Sequence, residues 1–168
     1  FKPDMCTLAK AMAGGEKIAA VVGKKQIMSI LDPSNDSGLY VFQSGTVNDG
    51  ASALSATIAS LKMYEDFDRK GKYVSLNKRA VKLKKELSEV FNKANIPCKI
   101  NQVGSMLQIF ISPNKLDFFK PDKRCNSIIE LFYLALINHN ILLSLPTSNH
   151  IYLSFMHTDA DIAKIIKT

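Results

Sequence analysis

Apolar residues recur at helical spacing in three stretches of this chain and alternate in two others, and that pattern alone sketches an α/β protein. In residues 51–64, Ala53, Leu54, Ala56, Thr57, Ile58, Leu61 and Met63 make a small-residue helix that is apolar on most sides, which predicts burial in a core or an interface. A second, longer helix carries Leu76, Ala80, Val81, Leu83, Leu87, Val90 and Phe91 up to Ala94, where Asn95-Ile96-Pro97 stops it. A third spans 127–138, with Ile128, Leu131, Phe132, Leu134, Ala135 and Leu136 on its apolar face. Strands are expected at 18–23, 98–102 and 106–112. In the last of these either Met106, Gln108 and Phe110 or Leu107, Ile109 and Ile111 could face the core. Residues 23–31 read as a short helix, and Thr158 with Asp161 three positions later reads as the capping start of a final one.

Between these elements, the Pro, Asn, Asp and Gly content of 32–38 predicts a surface loop, and 113–126 reads as a polar and aromatic one. The polar run 66–71 marks a boundary, which divides the chain into residues 1–68 and an α+β domain at 69–168.

Composition changes this picture little. The 168 residues can bury a real core, and no apolar run is long enough to cross a bilayer. Three cysteines, Cys6, Cys98 and Cys125, odd in number and without close pairing, predict reduced thiols and a cytoplasmic location. The net charge of +7 gathers at Lys78, Arg79, Lys82, Lys84 and Lys85, but Glu86 and Glu89 interrupt them and no aromatics interleave. They read as a solvated helix face and not as a nucleic-acid stripe. His139, His150 and His157 have no metal-ligand spacing with any cysteine, so no metal is expected. His157, beside a helix start, reads as a capping or packing residue, and Arg124 as a surface arginine.

The chemistry is concentrated in two places. In Lys2-Pro3-Asp4-Met5-Cys6-Thr7-Leu8-Ala9-Lys10-Ala11-Met12-Ala13-Gly14-Gly15, one lysine sits among Leu8, Ala9, Ala11 and Met12, ahead of a Gly-Gly turn. Apolar neighbours predict partial desolvation, which favours the neutral, nucleophilic amine, so Lys10 is a candidate Schiff-base lysine. In Val41-Phe42-Gln43-Ser44-Gly45-Thr46-Val47-Asn48-Asp49-Gly50, hydroxyls and amides lie just ahead of the 51–64 helix. They make either a phosphate seat on the helix N-terminus or a plain cap supplied by Asn48 or Asp49.

Pro3-Asp4-Met5-Cys6-Thr7-Leu8-Ala9-Lys10 resembles the lysine motif of the class III pyridoxal-phosphate aminotransferases, and within them the glutamate-1-semialdehyde 2,1-aminomutase-like group. Gly45-Thr46, Val103-Gly104-Ser105-Met106 and the segment from Ile141 to Ile162 are similar to that group in the same order. The resemblance implies the type I, aspartate aminotransferase-like fold, with residues 1–68 as part of the large cofactor domain and 69–168 as the small domain. It implies pyridoxal 5'-phosphate attached to Lys10, and phosphate contacts from Thr46 across a homodimer interface, with Ser44 and Gly45 as helpers. It also implies small amino donors and acceptors, free or carrier-tethered, and neither nucleic acid nor membrane.

Two departures stand out. Asn48-Asp49-Gly50 replaces the family's Gly-Asn-Pro or Gly-His-Pro turn, and Thr147-Ser148-Asn149-His150 lacks the aminomutase glutamate, so aminotransfer and aminomutase exchange stay open. The family's partner for the pyridine nitrogen, its ring-stacking aromatic and its first phosphate loop lie upstream of the lysine. The expectation is therefore that these residues alone are not a competent catalyst and that an N-terminal half lies elsewhere. A non-catalytic aminotransferase-like dimerisation module is the rival reading.

Overall fold

The computed structural model describes residues 2–46, 48, 50–111, 123–143 and 150–168, with backbone alone for 123–126. The chain divides into two compact units, Phe1–Lys70 and Gly71–Thr168.

In the first unit, β1 (Met5–Leu8) pairs antiparallel with β2 (Ala20–Gly23), Met5 opposite Gly23 and Leu8 opposite Ala20. A 3-10 turn, Lys10–Ala13, follows β1 directly. The ribbon is closed at its open end by the Lys24–Asp4 ion pair and by Lys24 N donating to Asp4 O at 3.0 Å. Gly23 belongs there because a Cβ would stand 3.1 Å from both the Asp4 carbonyl and Met5 Cγ. The short helix expected at 23–31 is α1 (Lys25–Met28) continued by a 3-10 turn over Ser29–Leu31.

The small-residue helix is α2 (Ala51–Arg69), five residues longer than its apolar pattern, so the polar 66–69 run is its last turn and not a linker. Its packed face is the small one. Ala53 and Ser60 are buried, with Thr57 and Tyr64 half-buried on the same stripe, against the 3-10 turn that starts at Lys10. Leu54, Ile58 and Leu61 form a separate stripe and are exposed, so of the two settings expected for this helix, a core or an interface, the described residues supply a core for its small-residue side alone. Small side chains let the turn's backbone approach closely, and the larger ones are left outside that contact.

The second unit is a two-layer α+β arrangement. α3 (Lys72–Lys93) follows Gly71, whose φ of 65° lies in the left-handed region that glycine enters without steric cost. β3 (Cys98–Val103), β4 (Met106–Ile111) and β5 (His150–Tyr152) form an antiparallel sheet in the order β3-β4-β5. The register pairs Ile100 with Ile109 and Leu107 with Ile151. Helix α4 (Lys123–Asn138) begins four residues before its apolar pattern, and α5 (Asp159–Lys167) closes the chain.

Leu76, Ala80, Leu83, Leu87 and Phe91 recur every three or four residues and bury one stripe of α3 against Ile100, Leu107, Ile109 and Ile151. Between the two possible faces of β4, the Leu107-Ile109-Ile111 set is the buried one. Phe91 meets Phe132 at a ring-centroid distance of 5.7 Å, and Arg79 Nε pairs with Asp159 Oδ1 at 3.0 Å to tie α3 to the start of α5. Among the described residues no helix is long and apolar enough to cross a membrane.

Thr158 caps α5 as expected. Its hydroxyl accepts from Asp161 N at 3.2 Å, while Asp161 Oδ2 accepts from Thr158 N at 2.7 Å. The Thr158 backbone N–H, then its hydroxyl, holds the exposed Asp161 carboxyl below its ordinary value. A depressed carboxyl stabilises the fold above its unfolded pKa, and that contribution disappears as pH falls through the folded value. Loss of the N-cap in Thr158→Ala should cost about 1 kcal/mol. The acid-side fall in melting temperature below about pH 4 should flatten in Asp161→Asn, as a thermal melt repeated across pH will show.

Candidate functional site

Lys10 is the first residue of its 3-10 turn and has φ 54°, one of three non-glycine residues with positive φ among those described. Left-handed backbone costs a side-chain-bearing residue about 1–2 kcal/mol, and such conformers persist where the surroundings enforce them, often at functional sites. The enforcement is visible. Met12 N donates to Ala9 O at 3.2 Å, Gly14 N to Ala11 O at 3.3 Å, and Glu16 N to Ala13 O at 3.2 Å. From 53 positions on, Tyr64 Oη donates to Ala11 O at 2.7 Å. Ala13 is buried at 1% exposure, and a Cβ on Gly14, itself left-handed at φ 60°, would lie 3.2 Å from Ser60 Oγ.

The lysine itself is exposed, and so are Leu8, Ala9 and Ala11. The expected desolvation by these neighbours is therefore not supplied within the described residues. Every residue of β1 is exposed because the strand belongs to a two-stranded ribbon, and of the four flanking residues only Met12 is half-buried.

Ser44, Gly45 and Thr46 are also exposed and lead into α2. Asn48 N donates to Gly45 O at 3.1 Å, and the Asn48 side chain folds back over Gly45, where a Cβ would fall 2.6 Å from Asn48 Oδ1. That close approach is what requires glycine at 45. Asn48 is thus spent on the turn, and the N-cap of α2 is Gly50, which has no side chain to offer. Among the described residues the Asn48 side chain does not cap α2, and the leading N–H groups of the helix follow two hydroxyls in sequence. Val47 and Asp49 lie outside the described residues. No hydrogen bond among the described residues joins this turn to Lys10.

Other candidates recede. His157 Nδ1 accepts from Ser154 N at 3.0 Å and lies 3.0 Å from Ser154 Oγ, so the ring closes a local turn. Burial pushes the Cys98 thiol up to about 11, which makes it a poor nucleophile, whereas Cys6 is exposed. The side chains of Arg124 and Cys125 and the stretch 144–149 with its missing acid lie outside the described residues. No group of three or more His, Cys, Asp or Glu among the described residues could hold a metal. Tyr64 escaped the sequence reading because nothing local marks it. It is one more aromatic near the end of a helix, and only its partner gives it meaning.

The donor set suits an aldehyde-bearing phosphate ester: one primary amine on an enforced backbone, and a hydroxyl-amide turn ahead of a helix start.

Comparison with known proteins agrees with this chemistry. The family model for aminotransferase class-III matches residues 1–165. A glutamate-1-semialdehyde 2,1-aminomutase from Caldicellulosiruptor bescii is 33% identical over 167 residues, covering 99% of this chain and 38% of that protein. Among solved structures, an omega-transaminase from Sphaerobacter thermophilus superposes with TM-score 0.83 at 20% identity, over 98% of this chain and 37% of that one. A transaminase with PLP bound gives 0.78 at 20% identity, over 99% and 37%. The chain thus spans a little over a third of the length of the relatives it matches. The fold is the type I transferase fold that the sequence implied. Matched along nearly its whole length, the chain belongs to the class III aminotransferase family.

Proposed function

We propose that the protein carrying this chain is a pyridoxal-phosphate-dependent aminotransferase or aminomutase, with Lys10 as the cofactor-bearing residue. The observation that carries this reading is Lys10 itself. In a class III chain, the last residue of the Pro3–Lys10 run is a lysine with an exposed side chain on a left-handed backbone that its surroundings enforce. When bound, pyridoxal phosphate supplies the electron sink for moving an amino group. Lys10 Nζ would hold it covalently and, once the incoming substrate amine has displaced it, would move the proton at the substrate carbon that carries the nitrogen.

The Thr46 hydroxyl binds the phosphate, helped by the Ser44 and Gly45 amides just ahead of α2. They do so from a second copy, as the resemblance implies. In support, Leu39, Tyr40, Val41 and Phe42 stand exposed immediately before this turn, and Leu54, Ile58 and Leu61 immediately after it, an apolar surface suited to a partner that also excludes water from the amine. The substrates are small amino donors and acceptors, free or carrier-tethered, and the location is cytoplasmic.

The test is a visible spectrum of the full protein with pyridoxal phosphate, borohydride trapping and peptide mapping. The label is expected on the peptide bearing Lys10. A label confined to any other lysine refutes the site.

A further inference from the structure

The backbone bonds that lead into and out of the Lys10 turn are long, at 3.2–3.3 Å, and each spans three residues. The short one comes from outside: Tyr64 Oη donates to Ala11 O at 2.7 Å. Ala11 is the residue after Lys10, and its carbonyl takes this bond as well as the one from Gly14 N. Tyr64 lies on the packed stripe of α2, one turn past Ser60, whose hydroxyl sits against Gly14. One helix face therefore holds the turn at Ala11, Ala13 and Gly14 while the lysine side chain stays exposed. Among the described residues, the tyrosine hydroxyl is the one hydrogen bond between that face and the turn.

We propose that Tyr64 is a positioning residue for Lys10, its hydroxyl fixing, through the Ala11 carbonyl, the left-handed backbone from which the lysine projects. The proposal rests on the functional reading above for why the lysine's placement matters. Tyr64 touches neither cofactor nor substrate. Its ring could pack equally well as phenylalanine, so the hydroxyl is the part with a separable effect. Without it, Ala11 O keeps its bond from Gly14 N, and the turn survives with more freedom about Lys10 φ.

The experiment compares wild type with Tyr64→Phe in the full protein. Trace labelling with acetic anhydride across pH reads the reactivity of the Lys10 amine against every other lysine, with no cofactor present. Borohydride trapping with pyridoxal phosphate reads the same amine with its cofactor. The expected result is a shifted Lys10 labelling profile with Lys24 and Lys25 unchanged, and trapping slowed about tenfold. The melting temperature should stay within about 5 °C of wild type, as suits one exposed hydrogen bond. A Lys10 labelling profile identical to wild type overturns the proposal. So does a change shared by all lysines that follows a general loss of stability. Wild-type trapping on a lysine other than Lys10 overturns the functional reading instead, and the labelling comparison then decides the role of Tyr64 without it.

Discussion

Lys10→Arg is expected to abolish cofactor trapping and to lower amino transfer by roughly 10³-fold or more, with the melting temperature unchanged. Arginine keeps the positive charge and the unbranched stem, and its cost in the left-handed region matches that of lysine, so the turn is not disturbed. The side chain of Lys10 is exposed and makes no hydrogen bond among the described residues, so little folding energy depends on it. What arginine cannot do is become a neutral amine near pH 7. It neither attacks an aldehyde nor accepts a proton from carbon. The comparison therefore separates chemistry from folding in one substitution. Retention of a tenth of wild-type turnover by Lys10→Arg, with the cofactor still bound, would mean that another group carries the amine chemistry.

Leu83→Ala is expected to have the largest effect on stability, about 2–5 kcal/mol. Leu83 is fully buried in the middle of the α3 stripe, with Ala80 and Leu87 on either side along the helix. Truncation removes its transfer energy and leaves a cavity that a close-packed interior refills only partly. Val81, two positions away, is 57% exposed on the other side of the same helix, and Val81→Ala should stay within about 0.5 kcal/mol. Chemical denaturation of both variants, followed by helical circular dichroism, measures the contrast. Equal midpoints would mean that α3 does not bury the stripe its spacing indicates.

Much of this was legible beforehand. The α3 periodicity picked out Leu76, Ala80, Val81, Leu83, Leu87, Val90 and Phe91, and the structure buries five of the seven on one face while Val81 and Val90 stay exposed beside it. The Thr158–Asp161 pair predicted its capping box for a similarly local reason, since both partners lie within one turn. The Pro3–Lys10 run led to the family before any geometry was known. Where patterns were ambiguous, the sequence could not choose. In β4, Leu107-Ile109-Ile111 and Met106-Gln108-Phe110 alternate equally well, and the helix layer packed on one side of the sheet decided between them.

The apolar character of α2 pointed to burial in a core or an interface, and within the described residues its packed face is Ala53, Ser60 and Tyr64, because the Lys10 turn needs a close backbone approach more than it needs large side chains. The desolvation expected of Lys10 is likewise not supplied within the described residues. Neighbours in sequence do not bury a side chain when the strand they form has a single partner. The sequence by itself thus determined the helices, the strands β2, β3 and β4, the capping of α5 and the lysine motif, all set by rules that act over a few residues. Only the tertiary structure decided which faces are covered, and that a hydroxyl 53 positions away holds the backbone beside Lys10, since contacts at that separation exist only once the chain has packed.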